Sequence, residues 1–263
     1  MSTDGTGVWA YAIFPDDSGD ERVAGLVGVA GEPVRVISGA GLAAAGGTVG
    51  LDEFGEEALR RNLENLDWLG VKARAHDAVV STLARSGPVI PVRMTTVYLT
   101  DDRVRRMLEN GRTVFRAALD RVTGRVELGV KAYADPKALV AEDDPVQEQG
   151  GRGSGAAYLL RRKRQLHSQE RAHGIAAAAA ERFHRALLAG ATDGKRKPVA
   201  DNSLSGRSGW TVLNGTYLVD VDRVDEFRSI VTSLQNDSDG IELEITGPWP
   251  PYSFTGDVVS ADE

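Results

Sequence analysis

NGTYLVDVDRVDEFRSIVTSLQNDSDGIELEITGPWPPYSF, residues 214–254, reads as a strand, a helix, a second strand and a proline-rich end. Tyr217, Val219 and Val221 alternate with Leu218 and Asp220, the period of two expected of a strand with a buried face. Asp222 is a natural N-cap, and Asp225 and Glu226 put negative charge near the positive end of the helix dipole. Val224, Phe227, Ile230, Val231 and Leu234 recur at helical spacing and make one apolar stripe. Asp237, Ser238, Asp239 and Gly240 stop that helix, and Ile241, Leu243 and Ile245 resume the alternation. Two strands joined through one helix form a right-handed parallel crossover unit.

Upstream of this stretch, a long helix is expected over 156–188, alanine-rich in its second half. Before it, Val126, Leu128, Val130 and Ala132 mark a strand. The segments 142–155 and 190–209 are polar and glycine-rich and read as loops, the second holding a short strand near Pro198 to Asn202. The order strand–helix–strand, strand–helix–strand is the ferredoxin-like βαββαβ arrangement. A boundary near Gly124 divides the chain into domains 1–124 and 125–263.

The first domain reads as a variant α+β sandwich. Strands are expected at Val8–Phe14, Val34–Ile37 and, as one long run, Val89–Tyr98. Helices are expected over 52–66, over 68–85 with Val71, Ala75, Val79, Thr82 and Leu83 inward, and from a Thr100 cap to Gly124. Gly39, Gly41 and Ala44 match G-x-G-x-x-A, but a dinucleotide site needs a helix opening at the glycines. Gly46, Gly47 and Gly50 interrupt any such helix, so a loop or short strand is expected. The fold class is α+β, two domains with helices packed on small sheets.

At 263 residues the chain can build two cores. A net charge of −7 argues against a broad nucleic-acid surface, and the lack of cysteine excludes disulfides and thiolate metal sites. No apolar run reaches the roughly 20 residues of a membrane span, and the N-terminus lacks the pattern of a secretory signal, so a cytoplasmic protein is expected.

His167, Glu170 and His173 are spaced like half a metal site, but six residues on a helix set the histidines about 120° apart, which favours a solvated face. His76, beside Asp77 and near Ser81, comes with no oxyanion motif and is expected to pack or cap at a helix surface. No catalytic, cofactor-binding or metal-ligating residues are expected. Arg161, Arg162 and Arg164, with Lys163, form the one dense basic run, a solvated face or a dock for an acidic partner. Pro91 cannot donate to a ladder, so Val89, Pro91, Arg93, Thr95 and Val97 are expected on an edge strand able to accept an extended segment by β-addition. The prolines of the tail pre-set the chain so that Trp249 and Phe254 pack onto the body.

Five segments in order resemble the gas vesicle GvpF/GvpL proteins: HDAVVSTLARSGPVIPVRMTTVYL (His76–Leu99), VELGVKAY (Val126–Tyr133), GAAYLLRRK (Gly155–Lys163), NGTYLV around Tyr217, and TGPWPPYSF. Gly247, Pro248, Trp249, Pro250, Pro251, Tyr252 and Phe254 are the most specific part, and the resemblance runs from about Val8 to Phe254. It places Asn214-Gly215 inside one continuous strand rather than in a hairpin turn. Where that family reads proline, a residue, Arg-Phe-Gly-Thr, this chain has Pro91, Val92, Arg93, Met94, Thr95, Thr96. A β-branched threonine resists positive φ, so a glycine-like backbone is not expected at Thr95. The resemblance implies a non-enzymatic assembly protein, associated with the vesicle, that binds the hydrophobic shell protein and other accessory proteins and limits shell-protein aggregation. It implies no cofactor, no nucleic acid and no lipid membrane as partner. The alternative is a small-molecule sensor or enzyme on a ferredoxin-like scaffold.

Overall fold

β1 (Thr6–Pro15) is the strand around which the first part of the chain is built, with every residue from Val8 to Phe14 buried. A computed structural model describes residues 5–17, 19–143, 155–199 and 209–255. By its contacts the chain divides into two compact units, one holding residues up to Val126 together with those from Trp249, the other Glu127–Pro248. The tail expected in the second domain therefore belongs to the first unit, because Tyr252 packs into that unit's core.

In the first unit β2 (Val34–Gly39), β3 (Leu42–Gly50), β1 and β4 (Ile90–Pro91) lie side by side in that order, and β5 (Val97–Tyr98) also pairs with β1. All these pairings are antiparallel. The register of β1 on β3 slips between Ala10 and Ala12, so Tyr11 is an extra, bulged residue. The bulge resets which face each side chain meets. Trp9, Tyr11, Ala12 and Phe14 go to one core, and Val8, Ala10 and Ile13 to the other. The short α1 (Gly19–Val23) follows β1 and adds Val23 to the first core. That core is completed by α2 (Leu51–Phe54), α3 (Glu56–Asn62) and α4 (Leu66–Arg85), through Phe54, Leu59, Val79, Val80 and Leu83. The opposite core is completed by α5 (Asp101–Asn110) and α6 (Arg112–Val122), through Val104, Leu108, Phe115 and Leu119.

Several expectations change here. The glycine- and alanine-rich run is a buried nine-residue strand, β3, joined to β2 by a turn in which Ala40 and Gly41 both have positive φ. Small residues are needed there because a Cβ on Gly46 would come within 2.8 Å of the Val8 side chain. The helix expected over 52–66 is two pieces broken at Gly55, and the one after Thr100 breaks at Gly111. Thr100 does cap α5, accepting from the Arg103 N–H. Val71 faces solvent rather than the core. The long strand expected over Val89–Tyr98 is two dipeptides, β4 and β5, separated by a turn.

The second unit runs β6 (Arg125–Ala134), α7 (Gly155–Ala189), β7 (Asp193–Arg196), β8 (Trp210–Asp220), α8 (Val224–Asn236) and β9 (Ile241–Trp249). Its sheet order is β7-β8-β6-β9, the ferredoxin-like βαββαβ arrangement. Ala176, Ala179, Phe183 and Leu187 of α7 and Phe227 and Val231 of α8 pack on Leu128, Val130, Tyr217 and Val219. Asn214 and Gly215 lie inside one continuous β8. A Cβ on Gly215 would sit 2.7 Å from the Tyr217 hydroxyl, and one on Gly194 of the paired strand 2.9 Å from the Tyr217 ring. The ring thus lies over two glycines, which is the physical content of the NGTYLV motif. Asp222 is not a cap: a 3-10 turn, Val221–Arg223, precedes α8, and Arg223 at the cap position makes no side-chain capping hydrogen bond. The short strand of the preceding loop is β7 rather than Pro198–Asn202; Pro198 and Val199 are not in a strand, and 200–202 lie outside the described residues.

Candidate partner-binding groove

α2 is held in place from beneath. Glu53 accepts from Trp68 Nε1 at 2.8 Å and pairs with Lys72 at 3.0 Å, and Lys72 also lies over the Phe54 ring. Burial pushes the Glu53 carboxyl up, but the hydrogen bonds from Trp68 and Lys72 outweigh it and hold it below the usual carboxylate range. Facing α2 and α3 is the segment that joins β4 to β5. It is fixed to β1 at both ends, Val92 N–H donating to Tyr11 O at 2.9 Å and Ala10 N–H to Thr96 O at 3.0 Å. Between these points Thr95 has φ 73°, the left-handed conformation. The positive φ not expected of a threonine is therefore present, imposed by two anchors only four residues apart.

Between these walls lies a groove of about 780 Å³. Leu51, Phe54, Ala58 and Leu59 line one side, and Thr95, Thr96, Val97 and Leu99 the other. Asp52, Gly55, Glu56, Glu57 and Arg61 complete its lining. Leu99 is 57% exposed. The volume lies within the roughly 300–1,000 Å³ typical of binding sites.

The expected partner-binding residues separate. Val89 and Pro91 are buried and cannot meet a partner, Arg93 is exposed, and Thr95 and Val97 are half-buried in the groove wall. Ten residues of edge strand for β-addition are not there, because the tight turn at 92–96 interrupts the ladder. Arg162 and Arg164 are exposed on α7, where no side chain from 162 to 171 is buried; the side chain of Arg161 lies outside the described residues. In the tail Pro250, Pro251 and Phe254 are buried, Tyr252 is half-buried, and Trp249 is 48% exposed at the end of β9. Trp249 is thus not the packing anchor; Phe254 is. Sequence reasoning missed Leu51, Ala58 and Leu99 as site residues, since segments some forty positions apart carry no shared periodicity.

His76 is a core residue, not a surface cap. Trp9 Nε1 donates to His76 Nδ1 at 3.0 Å, so its Nε2 carries the proton and donates to Val92 O at 3.1 Å. Its ring stacks on Tyr11. Burial lowers its pKa to about 4, against the Val92 carbonyl and Asp77, which raise it, so it is neutral at pH 7. Its bond to Val92 is a further tie on the segment that forms the groove wall. Among the described residues no group of three His, Asp or Glu side chains is placed to hold a metal ion, and no helix is long and apolar enough to cross a membrane.

Comparison with known proteins agrees with this architecture. The profile of the gas vesicle synthesis protein GvpL/GvpF family matches residues 7–256. The chain is 41% identical to gas vesicle protein L of Streptomyces sp. (strain CB03234) over 232 residues, 88% of this chain and 86% of that protein. It is 29% identical to gas vesicle protein F of the same strain over 263 residues, 95% of this chain and 98% of that one. The crystal structure of gas vesicle protein GvpF from Anabaena sp. PCC7120 superposes with a TM-score of 0.68 at 18% identity, covering 98% of this chain and 99% of that one. GvpF from Microcystis aeruginosa gives a TM-score of 0.65 at 17% identity, over 95% and 98%. The profile match over residues 7–256 and the 41% identity across most of both chains lead to one conclusion: the chain belongs to the gas vesicle synthesis protein GvpL/GvpF family.

Proposed function

We propose that this chain, in its role in gas vesicle formation, captures the hydrophobic shell subunit in the groove between α2–α3 and Thr95–Leu99. Holding apolar surface of that subunit there limits its self-association until it joins a growing shell. The observation that carries this reading is the apolar surface in the lining, with Leu99 left 57% exposed beside half-buried Leu51 and Val97. Covering such surface contributes about 25 cal/mol per Å² and needs no reacting group. A groove of this size gives holding rather than irreversible capture, which suits a protein that must hand its client on. The exposed Arg162 and Arg164 on α7 are suited to acidic accessory proteins, since guanidinium forks pair with carboxylates.

The test is co-purification of the tagged chain with the shell subunit, comparing the natural chain with Leu99→Asp. Because Leu99 is exposed, the substitution leaves the fold intact, and a melting curve checks this. Loss of most of the captured shell subunit is expected. Undiminished capture by a folded Leu99→Asp protein would remove the groove as the client site.

A further inference from the structure

The sheet of the second unit ends in β7 on one side and β9 on the other. The end strands of a sheet carry backbone groups with which another chain can pair. β7 is four residues long and exposes Lys195 and Arg196, a short and charged edge that resists strand addition. β9 is nine residues long, with Ile241, Leu243 and Ile245 alternating with Glu242 and Glu244. It is the edge that needs closing.

Gln235, in the last turn of α8, reaches that edge. Its Nε2 donates to Ile241 O at 2.9 Å, and its Oε1 accepts from Leu243 N–H at 2.6 Å. Along a strand the N–H and C=O groups of alternate residues point to the same side, so these bonds mark the side that β9 turns away from its sheet. One carboxamide thus supplies the donor and acceptor that a neighbouring strand would supply there. Past it the same side offers only Leu243 C=O and the groups of Ile245. Gly247, at φ 102°, then leaves extended backbone, and Pro248 has no N–H.

We infer that Gln235 is an internal plug, which occupies the β9 edge and keeps a second copy of this chain from pairing there. A second copy is the occupant that the plug excludes, because two identical edges can pair antiparallel about a twofold axis. The side chain outcompetes an incoming strand because it is tethered six residues from Ile241, at high effective concentration. A simple staple between α8 and β9 would use the same two bonds, and stability falls in either case when they are lost. Only the plug makes their loss produce new self-association.

The experiment compares the natural full chain with Gln235→Met, which keeps the length of the side chain and loses both hydrogen bonds, and with Gln235→Glu, which keeps only the acceptor for Leu243 N–H. Mass against concentration is measured by sedimentation, hydrogen exchange is read at Leu243 and Ile245, and a melting curve checks the fold. Self-association of Gln235→Met roughly tenfold tighter than that of the natural chain is expected, with Gln235→Glu between them. Leu243 N–H should exchange faster in the dilute variant and slow again, together with Ile245, as concentration rises. A folded Gln235→Met protein that associates no more than the natural chain would overturn the plug. So would association that leaves exchange at Leu243 and Ile245 unslowed. If Gln235→Met does not fold, the same two readings on Gln235→Glu decide between plug and staple.

Discussion

Thr95 holds a backbone conformation, φ 73°, that a β-branched residue disfavours, in a turn tied to β1 at Val92 and Thr96. Left-handed backbone destabilises such a residue by roughly 1–2 kcal/mol. Glycine relieves that strain but adds freedom to the unfolded chain, which offsets about 0.4–1 kcal/mol. Thr95→Gly should therefore stabilise the protein by about 1 kcal/mol, read as a melting temperature about 2–4 °C higher. An unchanged or lower melting temperature would mean the turn is not strained at this position. The identity of the residue could be read in the sequence, but its backbone could not. Propensity speaks for an isolated residue, and here two long-range hydrogen bonds override it.

At the scale of elements, strongly periodic segments were legible and segments set by neighbours were not. β8, α8 and β9 follow from their alternation and stripe, and α7 from its alanine-rich second half. For β3 a loop or short strand was legible but its nine-residue length and burial were not, because glycine and alanine have low strand propensity and are chosen here for thinness beneath Val8. The split of Val89–Tyr98 was hidden too, since a bulge in β1 and a turn at 92–96 are properties of pairing, not of composition. The tail shows the same division. Its prolines correctly announce a packed end, but which aromatic ring enters the core depends on the path of the chain. Phe254 is 2% exposed and Trp249 48%. Phe254→Ala should accordingly destabilise the protein by about 3–5 kcal/mol, and Trp249→Ala by less than about 1 kcal/mol. Chemical denaturation of both variants checks this, and equal losses would contradict the assignment of Phe254 as the anchor.

For the whole molecule, the ferredoxin-like order of the second unit and the mixed class of the first were readable from the order of periodic segments. The groove was not. Its lining is contributed by residues 51–61 and 95–99, and only the pairing of β1 with β3 and β5 brings those two stretches face to face. Thr95 and Val97, expected on an edge strand, lie in one of its walls. The central claim is that this groove is where the shell subunit is held. Hydrogen exchange of the full chain, with and without the purified shell subunit, tests that claim most directly. The account predicts slower exchange over 51–61 and 95–99 on adding the subunit. Exchange unchanged in both stretches, with protection appearing elsewhere, would contradict it.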